Sequence, residues 1–219
     1  MSHPTRRTLL VLATSCALPV ARAATAPLVE AAARGDLPTV RRLLDAGASV
    51  AQRDERGRTA VLAATAGNHV EVVRYLISRG ADVNAQDDQR DSAFLLAGAR
   101  GHTEIVRATL AAGADLKSTN RYGGTALIPA CHYGHVETVE LLLTTPIDVN
   151  HVNNLGWSAL LEAVILGDGS ERYVRIVRML LARGARAGLA DREGVTPLQH
   201  AQRRGQADVA RLLVAAGAR

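Results

Sequence analysis

Lysine is almost missing from this 219-residue chain: Lys117 stands alone, and arginine carries nearly all of the positive charge. The formal net charge is +5, of which Arg6, Arg7 and Arg22 of a removable leader supply three, leaving +2 on the remainder. A charge so small and so scattered cannot form the basic stripe that a nucleic-acid surface needs, so no nucleic-acid partner is expected. Two cysteines, Cys16 and Cys131, are too few for a disulfide framework, and only Cys131 remains once the leader is gone. Following Ala130 at a small-residue position, Cys131 reads as a packing residue. No apolar run reaches the roughly 18 residues of a membrane-spanning helix, which predicts a mature chain without a membrane span. The motifs of site chemistry are missing too. There is no His-Glu-x-x-His or paired-cysteine metal spacing, no glycine-rich phosphate loop and no Gly-x-Ser-x-Gly elbow. No catalytic residue, cofactor or metal is therefore assigned. Aromatic residues are also scarce, with one Trp, four Tyr and one Phe, and the place of each becomes informative.

What the chain does contain begins with Met1 to Ala23, where Arg6 and Arg7 precede an apolar centre from Thr8 to about Val20 and the small-residue site Ala21-Arg22-Ala23. It reads as a secretory leader, residues 1–23, removed on export. Thr5-Arg6-Arg7-Thr8-Leu9-Leu10 resembles a twin-arginine signal, with the general secretory route as the alternative.

From Ala24 onward one plan recurs. Helix-starting residues stand at Ala26, Thr59, Ser92, Thr125, Ser158 and Thr196, in steps of 33, 33, 33, 33 and 38. The closing turns at Gly47, Gly80, Gly113, Pro146, Gly184 and Gly217 follow with steps of 33, 33, 33, 38 and 33. In the unit from Asp54 to Gln86, Thr59 offers an N-cap hydroxyl to a short Ala-rich helix, Asn68-His69 break into a loop, and Val72, Val73, Leu76 and Ile77 make one apolar stripe on a second helix. Asx residues and glycines at the joints, such as Asp54-Glu55-Arg56-Gly57 and Asn153-Asn154-Leu155-Gly156, predict tight hairpins. Arg90 stands where the other joints have glycine, so its turn is either strained or of another type.

Period, closing Gly-Ala turns and Thr196-Pro197-Leu198-Gln199 resemble the ankyrin repeat. The resemblance covers everything after the leader, although Thr59-Ala60-Val61-Leu62 and its sisters lack the family's proline. It implies an all-α solenoid of six stacked helix-turn-helix repeats joined by short β-hairpins, with repeats at about 24–53, 54–86, 87–119, 120–152, 153–190 and 191–219. His69, His102 and His135 recur at the position where such repeats hold a histidine for inter-loop hydrogen bonding. Five extra residues around Asp168 to Arg172 fall between the two helices of the fifth repeat, either as a protruding binding element or as a lengthening that covers Ile165 and Leu166. Ser170 is placed to cap the lengthened second helix.

The function implied is recognition of a partner protein by a monomer, on a concave face of hairpin tips and first helices. It also resembles the exported ankyrin proteins of bacteria, which places it in the periplasm. Mapped onto this chain, the face comprises Arg56 and Arg58, then Asp88 and Gln89, then Arg121, Tyr122, His132, Tyr133, Leu155 and Trp157, with Arg192 and Arg203 as a basic rim. Two alternatives stay open: a small-ligand receptor or enzyme with an unrecognised pocket, for which His132, His200 and Arg203 would converge, and a self-associating structural solenoid.

Overall fold

A computed structural model describes residues 26–219, and the leader lies outside the described residues. The described residues form six helix pairs. They are α1 (Pro27–Ala33) and α2 (Leu37–Asp45), α3 (Ala60–Ala66) and α4 (Val70–Ser78), α5 (Ala93–Arg100) and α6 (Thr103–Ala111), α7 (Leu127–His132) and α8 (Val136–Leu143), α9 (Ala159–Ile165) and α10 (Glu171–Ala182), and α11 (Pro197–Arg203) and α12 (Ala207–Ala215). First helices pack on first helices and second on second along the whole stack. One continuous core runs between the layers, through Leu28, Val61, Phe94, Leu127, Leu160 and Leu198.

The starts of the first helices follow from their hydroxyl residues. Thr59, Ser92, Ser158 and Thr196 accept the backbone N–H three residues on at 3.2 to 3.5 Å. At Thr196 the Gln199 side chain answers by accepting the Thr196 N–H, completing a capping box. Thr125, expected to do the same, does not. Pro129 stands where a main-chain N–H would bond the Thr125 carbonyl, so the Ile128 N–H takes that carbonyl instead, at 3.3 Å. The Thr125 hydroxyl is left buried without a partner, and α7 starts late and is only six residues long. Ser170 likewise occupies the N-cap of α10 but its side chain makes no cap bond. Its own N–H is held by Asp168 Oδ1, and its carbonyl takes the Tyr173 and Val174 N–H groups.

The joints are hairpin-like loops rather than strands, with only isolated bridges between Arg53 and Thr59 and between Val152 and Ser158 among the described residues. Each is held by its Asx residue. Asp54, Asp87, Asn120, Asn153 and Asp191 accept two main-chain N–H groups apiece, which occupies the local donors before a longer ladder can form. Arg90 resolves as the strained alternative, at φ +60 where the sister glycines lie at +71 to +86.

Successive repeats are joined at two levels beyond their apolar faces. At the closing turns, Asn84 donates to the Gly113 carbonyl and accepts the Asp115 N–H, and Asn150 does the same with Gly184 and Arg186. At the loops between paired helices, His69 reaches the Ala33 carbonyl at 3.1 Å and His102 the Thr65 carbonyl at 3.0 Å. The His135 ring covers Gly101 in the same way. In the fifth repeat the insertion brings Tyr173 into this place. Its hydroxyl donates to the His132 carbonyl at 2.8 Å and its ring lies against Gly134 and Gly167. The five extra residues restore the inter-loop bond with a larger side chain, and part of their length becomes an extra turn of α10.

Replacing Arg90 by glycine is expected to remove the left-handed strain and raise stability by roughly 0.5–1 kcal/mol net of the greater chain entropy of glycine. Urea unfolding should show a higher midpoint with an unchanged slope; an unchanged or lower midpoint would contradict the strain.

Candidate functional site on the hairpin and first-helix side

A cavity of about 370 Å³ opens between the third, fourth and fifth repeats. Its walls come only from hairpins and first helices, with Tyr122, Tyr133, Leu155, Trp157 and Leu166 as the apolar part and Asp91, Arg121, His132, Asn153 and Glu162 as the polar part. Tyr122, Tyr133 and Leu155 are each more than half exposed, whereas Trp157 is half-buried. The lengthening does not cover Leu166, which lines the cavity and is 40% exposed, and Ile165 is half-buried.

Local folding sets these side chains. The Asn120 turn throws Arg121 and Tyr122 to its tip, where the guanidinium lies 4.5 Å from the Tyr122 ring centroid and donates to its hydroxyl at 3.0 Å. The Asn154 N–H then bonds the Tyr122 carbonyl at 2.8 Å, fixing the next tip beside it. At the end of α7 the rings of His132 and Tyr133 stack, 4.2 Å apart and 12° from parallel. Gly98 lets α7 approach α5, because a Cβ there would meet the Ala126 Cβ at 2.8 Å.

The floor is Glu162, on α9 and only 5% exposed. Asn153 donates to its Oε1 at 3.0 Å. Its Oε2 lies 3.2 Å from His132 Nδ1, but out of line for a hydrogen bond, and has no partner. Burial pushes the Glu162 carboxyl up to about 7, against the pull of the Asn153 hydrogen bond. The same loss of solvent holds His132 below the usual histidine range, so burial disfavours charge on both. Burial, then the nearby Asp87, raises Asp91 across the cavity. Cys131, on α7, is fully buried, and burial followed by the Glu162 charge pushes its thiol up, as suits a packing residue.

The structure thus brings together Arg121, Tyr122, His132, Tyr133, Leu155 and Trp157 of the face read from sequence. The others lie apart. Arg56 and Arg58 border a separate hollow of about 360 Å³ beside α1. Arg58 there is committed to Asp54 at 2.7 Å. Asp88 and Gln89 are exposed on the third hairpin, Asp88 over Gly57. Arg192 and Arg203 are exposed on the sixth repeat. His132 and His200 do not converge, because His200 pairs with Asp191 at 2.7 Å within its own repeat. Glu162 and Asn153 were not read as site residues. The signal in the sequence is weak: Glu162 stands four places after Ser158, where the sister repeats have Glu30, Ala63, Leu96, Pro129 and His200. Among the described residues, no group of three or more His, Cys, Asp or Glu could hold a metal, and no helix is long and apolar enough to cross a membrane.

Paired helices stacked in register, loop histidines capping the preceding repeat and Asx-held joints define an ankyrin-type solenoid. The family description "Ankyrin repeats (3 copies)" matches residues 9–87, 94–188 and 148–219, and the chain belongs to the ankyrin repeat family. An ankyrin repeat domain from Acinetobacter baumannii is 53% identical with a TM-score of 0.85, over 88% of this chain and 98% of that one. The ankyrin repeat domain of Bcl-3, of the IκB protein family, is 30% identical with a TM-score of 0.79, over 90% and 89%. YahD of Escherichia coli, a protein named for its ankyrin repeats, is 47% identical over 57 residues, which span 26% of this chain and 28% of YahD.

Between pH 4.5, the ordinary carboxyl value, and about 7, the native Glu162 holds a proton that the unfolded chain has released. Its contribution to stability is therefore complete at low pH and is lost as pH rises through that window, by up to about 3 kcal/mol. Glu162→Gln keeps an oxygen for Asn153 and does not titrate. Relative to wild type, it is expected to gain about that much stability between pH 5 and pH 8 in urea unfolding. The same difference at both pH values would contradict the buried, proton-holding carboxyl.

Proposed function

We propose that the chain binds a partner protein through the hairpin and first-helix side of its third to fifth repeats, centred on Tyr122, Tyr133, Leu155 and Trp157. Ankyrin repeats are a generic protein–protein interaction module. The observation that carries the choice of face is the gathering of three of the chain's six aromatic residues, with Leu155, around one open cavity. Tyrosine and tryptophan dominate the energetics of interfaces when buried there. Among the described residues, the second helices of the opposite face expose only Val214 as a large apolar side chain. These helices carry ion pairs such as Arg74–Glu104 and Arg175–Glu140, both partners exposed, which contribute little to binding or stability. Arg192 and Arg203 extend the surface as a basic rim for an acidic edge of the partner; Arg204 is instead spent on the Gly167 carbonyl at 3.1 Å.

The leader-like segment Met1 to Ala23 supports a periplasmic setting for this binding, with the mature chain starting near Ala24. Affinity capture from a periplasmic extract tests the reading. Trp157→Ala and Tyr122→Ala, checked for folding by circular dichroism, should each weaken capture by about 2 kcal/mol or more, while Glu55→Ala leaves it unchanged. Equal capture by all three would overturn the choice of face. Mass spectrometry of the captured bait reports its first residue, and an intact Met1 on a cytoplasmic protein would overturn the location.

A further inference from the structure

The cavity has a chemical polarity that its aromatic rim does not reveal. Its floor is a carboxylate more than nine-tenths buried, with one oxygen lacking any hydrogen-bond donor. A second, half-buried carboxylate, Asp91, faces it across the opening. A buried acceptor without a donor costs free energy comparable to a lost hydrogen bond, and far more when ionised. A group that brings donors and positive charge recovers that cost. The walls suit such a group, since the chain already seats one guanidinium, that of Arg121, on the face of Tyr122, and Trp157 and Tyr133 line the rest. The ring of His132 lies across Glu162 Oε2, yet its side chain is 37% exposed and makes no hydrogen bond there that must be broken.

Resting on the partner-binding reading above, we propose that this cavity receives a cationic side chain of the partner, lysine or arginine, whose ammonium or guanidinium pairs with Glu162 Oε2 between the Trp157 and Tyr133 rings as His132 turns aside. The methylene stem of that side chain lies against Leu155 and Leu166. Asp91 adds a second negative charge at the mouth, and Arg121, held on Tyr122, sets the outer limit of the site.

Trp157 is the chain's single tryptophan and lines the cavity, so its fluorescence reports occupancy directly. The mature protein is titrated at pH 8, where the Glu162 carboxyl is ionised, with the N-acetyl N-methylamides of arginine and lysine, and with that of citrulline as the neutral isostere of arginine. The expected result is a saturable change with at least one cationic amide, binding at least tenfold weaker for citrulline, and a loss of about tenfold for the cationic amide in Glu162→Gln. A charge-assisted bond of this kind is worth about 1.4 kcal/mol or more. No saturable change with either cation up to its solubility limit, equal binding of citrulline, or full binding by a folded Glu162→Gln protein would each overturn the proposal. Capture that depends on Trp157 together with silent cationic amides would sink the cation site and leave the docking face standing. Selective cation binding with capture indifferent to Trp157→Ala would support the cation site and sink the docking of a partner on this face.

Discussion

At the loops between paired helices, side chains of one repeat hydrogen-bond carbonyls at the end of the preceding repeat's first helix. This bond, at the loop between paired helices, is the constraint on which the stack depends. His69 on Ala33, His102 on Thr65 and Tyr173 on His132 are three versions of it, and Gln206 gives a fourth by donating to the Val164 and Gly167 carbonyls. At most of these joints a glycine lies beneath the side chain; under His102 the place is taken by Asn68, which adopts the same left-handed backbone at φ +56. A Cβ at Gly35 would stand 2.5 Å from the His69 ring, and one at Gly167 2.5 Å from the Tyr173 ring. The period thus has a mechanical side: the donor of one unit must reach the loop of the unit before it, and Tyr173 still does so after the five extra residues of the fifth repeat.

Regularity gives way in one neighbourhood. The fourth repeat has Pro129 inside its first helix and Pro146 at its closing turn, where Thr144 and Thr145 hydroxyls take over the helix-end carbonyls of Leu141 and Leu142. Lys117 stands in the third repeat at the place of Asn84 and Asn150, so the clasp those residues make is not repeated there. Glu162 then puts a buried carboxyl where the neighbouring repeats have Leu96 and Pro129. Departures from local consistency that cost stability are expected where a protein uses them, and two of these, Pro129 and Glu162, line the cavity. The aromatic rim and the buried carboxyl belong to the same joint.

The helix pairs and the loop histidines were legible from sequence because each is carried by a short local pattern with a fixed period. Thr125 failed as a cap because its register predicted a hydroxyl acceptor while the missing N–H of Pro129, four places away, rerouted the local bonds. The insertion was legible in length and place but not in purpose, since Tyr173 replaces a histidine only after five residues have folded back. The site was half legible. Tyr122, Tyr133 and Trp157 follow from scarcity and register, whereas Glu162 gains its character from Asn153 and His132, which come from two other elements and meet it only in three dimensions.

The central claim is that the inter-loop bond couples one repeat to the next. Tyr173→Ala removes both ring and hydroxyl at the joint between the fourth and fifth repeats and leaves the helices on either side intact. Urea unfolding followed by Trp157 fluorescence, which reports the fifth repeat, and by far-UV circular dichroism, which reports the whole stack, tests the coupling. The account predicts coincident transitions in the wild type and a fluorescence transition at lower urea than the circular-dichroism midpoint in the variant. Coincident transitions in Tyr173→Ala at the wild-type midpoint would contradict it.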